Sequence, residues 1–422
     1  MAALLRRSLG VIGKLPSCGC PLPIFQLGRS FTSVTKTVTK ITTRRVPTWK
    51  VSGQIVRNTT TAPAAPSGSI RSVPINANKY VGAWLVGCSG MVFGAVVLGG
   101  VTRLTESGLS MVRWQLFGER PPITQEDWEV EFERYKQYPE FKIKNANITV
   151  DEFKWIWYME YGHRMWGRLI GAAFYIPATV FWAKGWLSPL MKKRTVFLGS
   201  LLAFQGLLGW YMVKSGLEDR FHGPSDVPRV SQYRLAAHLG SALLLYSYAL
   251  WSALDLLLPV QPVEITKQFR RFRGLAHGCK GLVFLTAISG AFVAGLDAGL
   301  VYSSFPKMGD DWVPDDIMQL SPTWANFTEN PTTVQFDHRI LGITTCSAVL
   351  YLWLLSRKTK LPPRARLAVN VLGAGVICQV SLGIATLVYY VPTLLAASHQ
   401  SGSLVLLSIA MWLTHELKRL PK

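Results

Sequence analysis

The chain alternates between long apolar runs and short polar connections, and this pattern decides its structural class. Eight runs have the length of about 20 residues that a helix needs to cross a bilayer. They lie near 80–101, 155–183, 195–213, 235–258, 281–302, 333–355, 367–391 and 394–414. Hydrophobic residues fill 49% of the 422 positions and charged residues only 16%, which also favours a membrane protein over a soluble one. We therefore predict an all-α integral membrane protein with eight transmembrane helices.

The connections between these runs sort by charge. Three of them carry clusters of Lys and Arg, whereas the alternate connections are acidic or mixed. The clusters are Lys184, Lys192, Lys193 and Arg194; Lys267, Arg270, Arg271, Arg273 and Lys280; and Arg357, Lys358, Lys360, Arg364 and Arg366. The positive-inside rule places these connections on one side of the membrane, together with both termini. We interpret the clusters as topological signals, so we expect membrane lipid and no nucleic acid as surroundings.

The first part of the chain has a different composition. Residues 1–79 carry twelve Lys and Arg and no Asp or Glu, so more than half of the formal charge of +21 lies there. Leu5, Leu9 and Ile12 recur at helical spacing beside basic residues, which is typical of a mitochondrial transit peptide. We predict that residues 1–75 are a transit peptide and disordered leader. The rest is then a multi-pass protein of the mitochondrial inner membrane with both termini in the matrix.

The two halves of the membrane part resemble each other. The matching segments are EYGHRMWG at His163 with QFDHRILG at His338, FQGLLGWYMV at Gln205 with CQVSLGIATLV at Gln379, and LAAHLGSALLL at His238 with AASHQSGSLVLL at His399. Because each half has four helices, both halves enter and leave the membrane in the same sense. This predicts two parallel four-helix bundles, 78–258 and 276–416, related by a pseudo-twofold axis along the membrane normal.

The repeat selects four of the seven histidines, each near the start of a helix that runs from the acidic side to the basic side. They are His163, His238, His338 and His399. Within each half the pair comes from the second and fourth helices, which a four-helix bundle can bring face to face. Two facing imidazoles favour bis-histidine heme iron, because zinc normally needs a third or fourth protein ligand. The other histidines, His222, His277 and His415, are predicted to be ordinary surface residues.

The starts of two of these helices can be predicted from their sequences. Thr149 with Glu152 matches a capping box, and Asn330 followed by Pro331 suits a cap and first turn. His163 then lies about fourteen residues into its helix and His338 about eight.

Charged residues near the histidines distinguish the halves. Arg164 and Arg339 directly follow His163 and His338, and they could pair with heme propionates or bridge helices near the membrane interface. Glu160 stands one helical turn before His163, whereas the matching residue of the second half is Gln335. A carboxylate in an apolar site is a plausible proton acceptor or charge stabiliser. The first half is therefore the candidate reaction site, and the second suits a permanently held redox heme.

The motifs EYGHR, RLAAHL, QFDHR and SHQSG, with GGVTRLTESGLS after the first apolar run, make the chain resemble the mitochondrial type of the heme A synthase family over residues 78–415. The resemblance implies an oxidoreductase that converts the C8 methyl of heme O to a formyl group by successive hydroxylations, with oxygen from water. Catalytic roles are implied for Glu160, His163 and His238, and a heme B cofactor for His338 and His399. Some bacterial members have a cysteine pair that residues 103–154 lack, so no thiol step is carried over.

The resemblance also implies partners that the sequence does not display. These are a farnesyltransferase that supplies heme O, a ferredoxin system or another electron acceptor, and cytochrome c oxidase assembly factors that use the heme A product. Homo-oligomerisation stays open. Two other functions also remain open: a non-enzymatic cytochrome b type subunit with two permanent hemes, and a heme or small-molecule transporter.

Overall fold

The computed structural model describes Pro74 and residues 76–115, 117–218 and 228–418, and this part of the chain is all-helical with no strand. The predicted leader, residues 1–75, lies outside the described residues except for Pro74. The helices are α1 (Ala77–Leu104), α2 (Gln125–Tyr135), α3 (Pro139–Ile143), α4 (Val150–Ala183), α5 (Pro189–Leu217), α6 (Gln232–Leu257), α7 (Lys267–Gly295), α8 (Asn326–Glu329), α9 (Pro331–Lys358), α10 (Pro363–Val388) and α11 (Thr393–Glu416).

Seven of the described helices are long and apolar enough to cross a membrane, which confirms the multi-pass class. They are α1, α5, α6, α7, α9, α10 and α11. The eighth predicted span, α4, has 34 residues but is not among them. Its apolar stretch is interrupted by Glu160, Arg164 and Arg168, which lie around His163. The charged residues around His163 thus lower the mean hydropathy of this helix.

The predicted helix starts are confirmed. The Thr149 hydroxyl accepts a hydrogen bond from the Glu152 backbone at 3.3 Å, and the Glu152 carboxylate accepts from the Thr149 backbone at 2.8 Å. The Asn330 side chain accepts from the backbone of Thr332 at 3.0 Å, with Pro331 at the first helical position. These caps satisfy backbone N–H groups that have no partner inside the helix.

The same helix pairs pack in both halves. In the first half α1 contacts α4 and α6, and in the second half α7 contacts α9 and α11. Between the halves, α6 packs on α7 and α11 packs on α1. Because α1 corresponds to α7 and α6 to α11, these two contacts are equivalent under the repeat. Hydrogen bonds join the halves where Gln400 donates to the Val96 carbonyl at 2.8 Å and where the Tyr246 and Ser408 hydroxyls meet at 2.6 Å. This pairing is compatible with the predicted pseudo-twofold axis, which stays a prediction.

The tightly buried side chains concentrate toward the side of the basic connections. One cluster belongs to the first half and includes Val81, Leu85, Val92, Phe174, Leu198, Leu245 and Ala253. The other belongs mainly to the second half and includes Phe269, Phe272, Val283, Val349, Leu372, Leu404 and Leu407. The four repeat histidines lie beyond these clusters, toward the acidic side, and all four are half-buried. Each bundle is therefore closed by packing at one end and carries its imidazoles toward the other.

A small outer cluster was not predicted from the sequence. Helices α2 and α3 and the first turns of α4 bury Trp128, Phe132 and Tyr135 against Phe153 and Trp157. The three α2 residues are spaced by four and three positions, which makes one apolar stripe along this helix. Because that stripe is short and lies among charged residues, the segment reads as a polar connection when only long apolar runs are sought.

The prediction for His415 was wrong. Its side chain is buried, and its Nε2 lies 3.0 Å from the Asp255 carboxylate. Arg194 also pairs with Asp255 at 2.7 Å, and Lys418 is a further ion-pair partner. This Asp255 cluster ties α5, α6 and the end of α11 together on the basic side. His277 is exposed, as predicted, and His222 lies outside the described residues.

Replacing Asp255 with Ala should destabilise the fold, because three cationic or polar partners would lose one half-buried carboxylate. Breaking a fully buried ion pair from one side costs about 3–5 kcal/mol and an exposed pair contributes about 0.2–1 kcal/mol, so the loss at Asp255 should lie between these values. Thermal unfolding in detergent would measure the effect. The matched control is Asp151→Ala, which removes the exposed pair of Asp151 with Lys154. Equal unfolding midpoints for the two variants would contradict the structural role of the Asp255 cluster.

Candidate functional site

Each repeat histidine lies with the Cε1 edge of its ring against a glycine of a neighbouring helix. A Cβ atom built on the glycine would lie 2.9 Å from that edge for Gly99 and His163, 3.4 Å for Gly209 and His238, 3.4 Å for Gly290 and His338, and 2.8 Å for Gly383 and His399. The glycines come from the first and third long helices of each half, and the histidines from the second and fourth. At Gly99 and Gly383 a larger residue would displace the ring. The repeat thus extends to the surfaces on which the imidazoles rest.

The structure brings His338 and His399 together as the sequence predicted. Their ring centroids are 6.4 Å apart and their planes are nearly perpendicular, at 88°. Two imidazoles that bind one metal ion through Nε2 have centroids about 6 Å apart, because the metal–nitrogen bond is about 2 Å and the nitrogen lies about 1 Å from the centroid. The second pair therefore fits a single iron with two axial ligands. In the first half, His163 rests on Gly99 and His238 on Gly209, at the matching places.

The number of ligands also fits heme better than zinc. Among residues 76–115, 117–218 and 228–418, no group of three or more His, Cys, Asp and Glu side chains is placed to hold a metal ion. Zinc sites normally use three or four protein ligands, whereas heme iron needs only axial ones. The two histidine pairs thus have the donor set that heme takes.

The Nδ1 atoms of the four imidazoles separate the halves. The Nδ1 atom of His338 lies 2.7 Å from the Ser289 hydroxyl, and that of His399 lies 3.1 Å from the Gln379 amide. The Nδ1 atoms of His163 and His238 are buried without a hydrogen-bond partner in the described structure. Metal-binding histidines usually use their second nitrogen to fix the ring. Only the second half provides that support.

Gln205 and Gln379 make different side-chain hydrogen bonds because one neighbouring position is Ser241 in the first half and Gly402 in the second. Gln205 and Gln379 both donate to the carbonyl of the histidine that follows, at 3.3 Å for His238 and 2.8 Å for His399. In the first half the Gln205 amide also donates to the Ser241 hydroxyl at 2.7 Å. The second half has Gly402 at the matching place, and a Cβ there would collide with the Gln379 side chain. A serine therefore engages one glutamine, whereas a glycine lets the other reach its imidazole.

Glu160 lies in a complete hydrogen-bond network. Its side chain is 2% exposed, and one carboxylate oxygen accepts from the Ser110 hydroxyl at 2.9 Å and the Met111 backbone at 2.7 Å. The other oxygen pairs with Arg164 at 2.5 Å. Ser110 ends the segment GGVTRLTESGLS, which comprises the last residues of α1 and the loop after it, and the end of this segment contacts the carboxylate beside His163. The motif indicates the resemblance, but nothing in the sequence identifies Ser110 and Met111 as partners of Glu160.

The second half repeats this network around a neutral amide. Gln335 donates to the Tyr302 carbonyl at 2.9 Å, and Arg339 donates to the same oxygen at 3.2 Å. In the first half Arg164 likewise donates to the Met111 carbonyl, at 2.7 Å. The substitution of amide for carboxylate reverses the polarity of one contact, because Glu160 accepts from the outer loop whereas Gln335 donates to it.

Both arginines join their helix to the loop that follows the first helix of their half, and their pairing with propionates stays a prediction. The Arg164 guanidinium donates hydrogen bonds to the Glu160 carboxylate and to the carbonyls of Met111 and Arg113. Arg339 donates to the carbonyls of Tyr302 and Lys307, but its Nε is buried without a partner in the described structure. That N–H remains available to an anionic group.

The outer cluster places a second carboxylic acid near Glu160. Glu140 of α3 is 4% exposed and accepts a hydrogen bond from the Tyr135 hydroxyl at 3.0 Å. The pKa of Glu140 is raised to about 8, mainly because the carboxyl is buried; the Tyr135 hydrogen bond lowers the pKa and the neighbouring Glu160 raises it by smaller amounts. Glu140 is therefore mostly protonated at neutral pH and adds little negative charge beside Glu160.

Comparison with known proteins gives a consistent family. The family model described as COX15-CtaA, cytochrome oxidase assembly protein, matches residues 82–411. Heme A synthase COX15 of Bos taurus is 60% identical over 359 residues, covering 85% of this chain and 87% of the relative, and that of Homo sapiens is 62% identical over 347 residues, covering 82% and 84%. A heme A synthase-mitochondrial ferredoxin fusion protein of Schizosaccharomyces pombe is 40% identical over 382 residues, covering 83% and 62%.

The protonation of Glu140 predicts a pH dependence of stability. An unfolded chain releases this proton near pH 4.5, whereas the folded protein keeps it until about pH 8. The folded state therefore binds the extra proton between these values, and stability falls as the pH rises through them. Glu140→Gln should flatten this part of the profile and raise the unfolding midpoint above pH 8.

Thermal unfolding in detergent between pH 5 and 9 would measure this dependence, and the two proteins should converge toward pH 5. Glu129→Gln, which removes an exposed carboxylate of α2, controls for the change in net charge. Parallel profiles for the wild type and Glu140→Gln would contradict the prediction.

Proposed function

The chain belongs to the COX15-CtaA family of cytochrome oxidase assembly proteins, and from this membership we propose that it is a heme A synthase of the mitochondrial inner membrane. The observation that carries the proposal is the buried carboxylate of Glu160, one helical turn from His163, which is present beside only one of the two histidine pairs. A protein that only transfers electrons between two hemes has no need for this difference.

The proposed reaction oxidises the C8 methyl of heme O to a formyl group by successive hydroxylations. With water as the oxygen source, one methyl group and one water molecule give one formyl group, four protons and four electrons. The reaction therefore needs a base for the protons and an acceptor for the electrons. Heme O is the substrate, and His163 and His238 would hold it in the first half.

The residues around His163 suit the handling of protons. Glu160 accepts hydrogen bonds from Ser110 and Met111 and pairs with Arg164, so its carboxylate is held in one place on the face of α4 that carries His163. A carboxylate fixed in this way can take up protons released near the imidazole and pass them toward the acidic side of the membrane. Gln335 holds the same place in the second half and has no proton-accepting carboxylate.

The second pair would hold a heme B cofactor between His338 and His399. Their ring spacing and the Ser289 partner of His338 Nδ1 support this role. When bound, heme B would supply one-electron redox chemistry. The buried, unpartnered Nε of Arg339 offers a donor for a propionate.

The proposed reaction needs an acceptor for its electrons, a source of heme O and proteins that use heme A, and these needs define the proposed partners. The name of the Schizosaccharomyces pombe relative joins a heme A synthase to a mitochondrial ferredoxin, which supports a ferredoxin system as the electron partner, although another acceptor would also serve. A farnesyltransferase would supply heme O, and cytochrome c oxidase assembly factors would use the heme A product. The basic connections support an orientation with both termini in the matrix.

A two-heme cytochrome b type subunit is the second candidate, because both halves carry a histidine pair resting on glycines. Extraction and chromatography of hemes from protein made in cells that supply heme O would separate the two. The synthase should contain heme B together with heme O or heme A, and His338→Ala should lose heme B while His163→Ala should lose heme O or heme A. Two heme B per wild-type chain, with no altered porphyrin, would favour the cytochrome.

Glu160→Gln should keep the heme B spectrum and stop product formation. The substitution preserves shape but removes the proton-accepting carboxylate, and a positioned general base contributes about 10²- to 10⁴-fold to a rate. Chromatographic measurement of heme A formed per heme B would show the loss. The control is Glu131→Gln, which changes a buried carboxylate of the outer cluster that pairs with Arg134. Wild-type turnover by Glu160→Gln would overturn the assignment of this residue.

A further inference from the structure

Ser289 occupies a defined place next to His338. It precedes Gly290, the residue of α7 against which the imidazole rests, and its hydroxyl lies 2.7 Å from His338 Nδ1. The same hydroxyl donates to the Thr286 carbonyl at 2.8 Å. A serine hydroxyl has one proton, and here the helix carbonyl receives it. With the hydroxyl proton on this carbonyl, the Ser289 oxygen is placed to accept from Nδ1–H of His338.

This assignment fixes the tautomer of His338. A neutral imidazole carries one N–H, so a proton on Nδ1 leaves Nε2 with a free lone pair. Nε2 is then ready to bind iron. The contact of Gln379 with His399 does not fix that tautomer, because the amide nitrogen faces Nδ1 and the amide would have to turn to accept from Nδ1–H.

The first half has Leu98 at the place of Ser289. Aligning Gly99 with Gly290 pairs these two residues, and the same alignment pairs Glu106 with Asp297. Both of these acidic residues have a left-handed backbone, with φ of 55° and 52°, which supports the register. Leucine offers no acceptor, and the buried Nδ1 of His163 has no partner in the described structure.

We propose that Ser289 is a positioning residue that holds His338 in its iron-binding tautomer, and that Leu98 leaves His163 without this support, so that the second half retains its heme while the first half exchanges its own. The inference rests on the proposed function, which assigns a heme to each pair. Beyond that function, it assigns the difference in heme retention between the two sites to Ser289 and Leu98. A synthase needs this difference, because its substrate must enter and its product must leave while the cofactor stays.

The first test removes the Ser289 hydroxyl and measures how firmly heme B is held. Loss of such an outer hydrogen bond typically costs about 10- to 100-fold in metal affinity. Transfer of heme from purified Ser289→Ala to apomyoglobin should be faster than from the wild type by about this factor. The reduction potential of the bound heme should also rise, because an imidazole without this hydrogen bond is a weaker electron donor to ferric iron.

Two further variants separate positioning from general packing. Ser289→Thr keeps a hydroxyl and should restore slow transfer and the wild-type potential. Ser356→Ala removes another serine of the second half whose hydroxyl donates to a helix carbonyl, that of Trp353, at 2.6 Å. Ser356 lies 18 residues after His338 on α9, about 27 Å along the helix. This control should behave as the wild type in both measurements.

The reciprocal test places a serine in the first half. Leu98→Ser should give His163 an acceptor and slow the release of heme O or heme A. The measurement uses the His338→Ala background, in which only the first site holds heme, and again follows transfer to apomyoglobin. Slower release in the double variant than in His338→Ala supports the inference.

The outcomes distinguish this inference from the proposed function. If Ser289→Ala and Ser356→Ala transfer heme B at the same rate and have the same potential, the role of Ser289 is overturned, even though loss of heme B from His338→Ala would leave the proposed function intact. If His338→Ala keeps its heme B, the assignment of the two sites fails first.

Discussion

A charged side chain inside a membrane-spanning bundle must find its partners within the protein, and the carboxylate of Glu160 organises the first half for this reason. Arg164, Ser110 and Met111 satisfy it. These contacts fix the segment after α1 against α4, and Arg164 then reaches the Met111 and Arg113 carbonyls of the same segment. Removing either member of the buried pair would leave a charge without compensation. The residues that prepare the site thus also hold the outer connection in place.

Duplication lets small substitutions define separate roles on one scaffold. Both halves keep the histidines, the glycines beneath them and an arginine after the first histidine. Among the matched positions at which they differ, Glu160, Leu98 and Ser241 of the first half correspond to Gln335, Ser289 and Gly402 of the second. Each difference changes a donor, an acceptor or a small volume next to an imidazole. The backbone therefore supplies two similar frames, and the polarity of a few atoms determines what each frame can do.

Much of this arrangement follows from the sequence, because it depends on residues close together in the chain. The caps at Thr149 and Asn330 are local, and so is the position of His163 along α4. The repeat indicated which histidines belong together, and the structure places His338 opposite His399. The orientation in the membrane follows from charge alone and stays a prediction.

Other features depend on how helices cross and were not visible in the sequence. The contact of Ser289 with His338 joins residues 49 positions apart, and that of Ser110 with Glu160 joins residues 50 positions apart. The outer cluster was missed because its apolar stripe is short. His415 was misread because a histidine near a helix end looks exposed until Asp255, which precedes it by 160 residues, is placed beside it.

The Asp255 cluster has a consequence for how the protein is made. Arg194 precedes Asp255 in the chain and can pair with it once α5 and α6 are inserted. His415 and Lys418 lie about 160 residues after Asp255 and can join it only when the last helix is in place. The first bundle is thus completed by the final turn of the second. A chain that stops early would leave this carboxylate under-compensated at the membrane surface, where quality-control proteases can distinguish it from the finished protein.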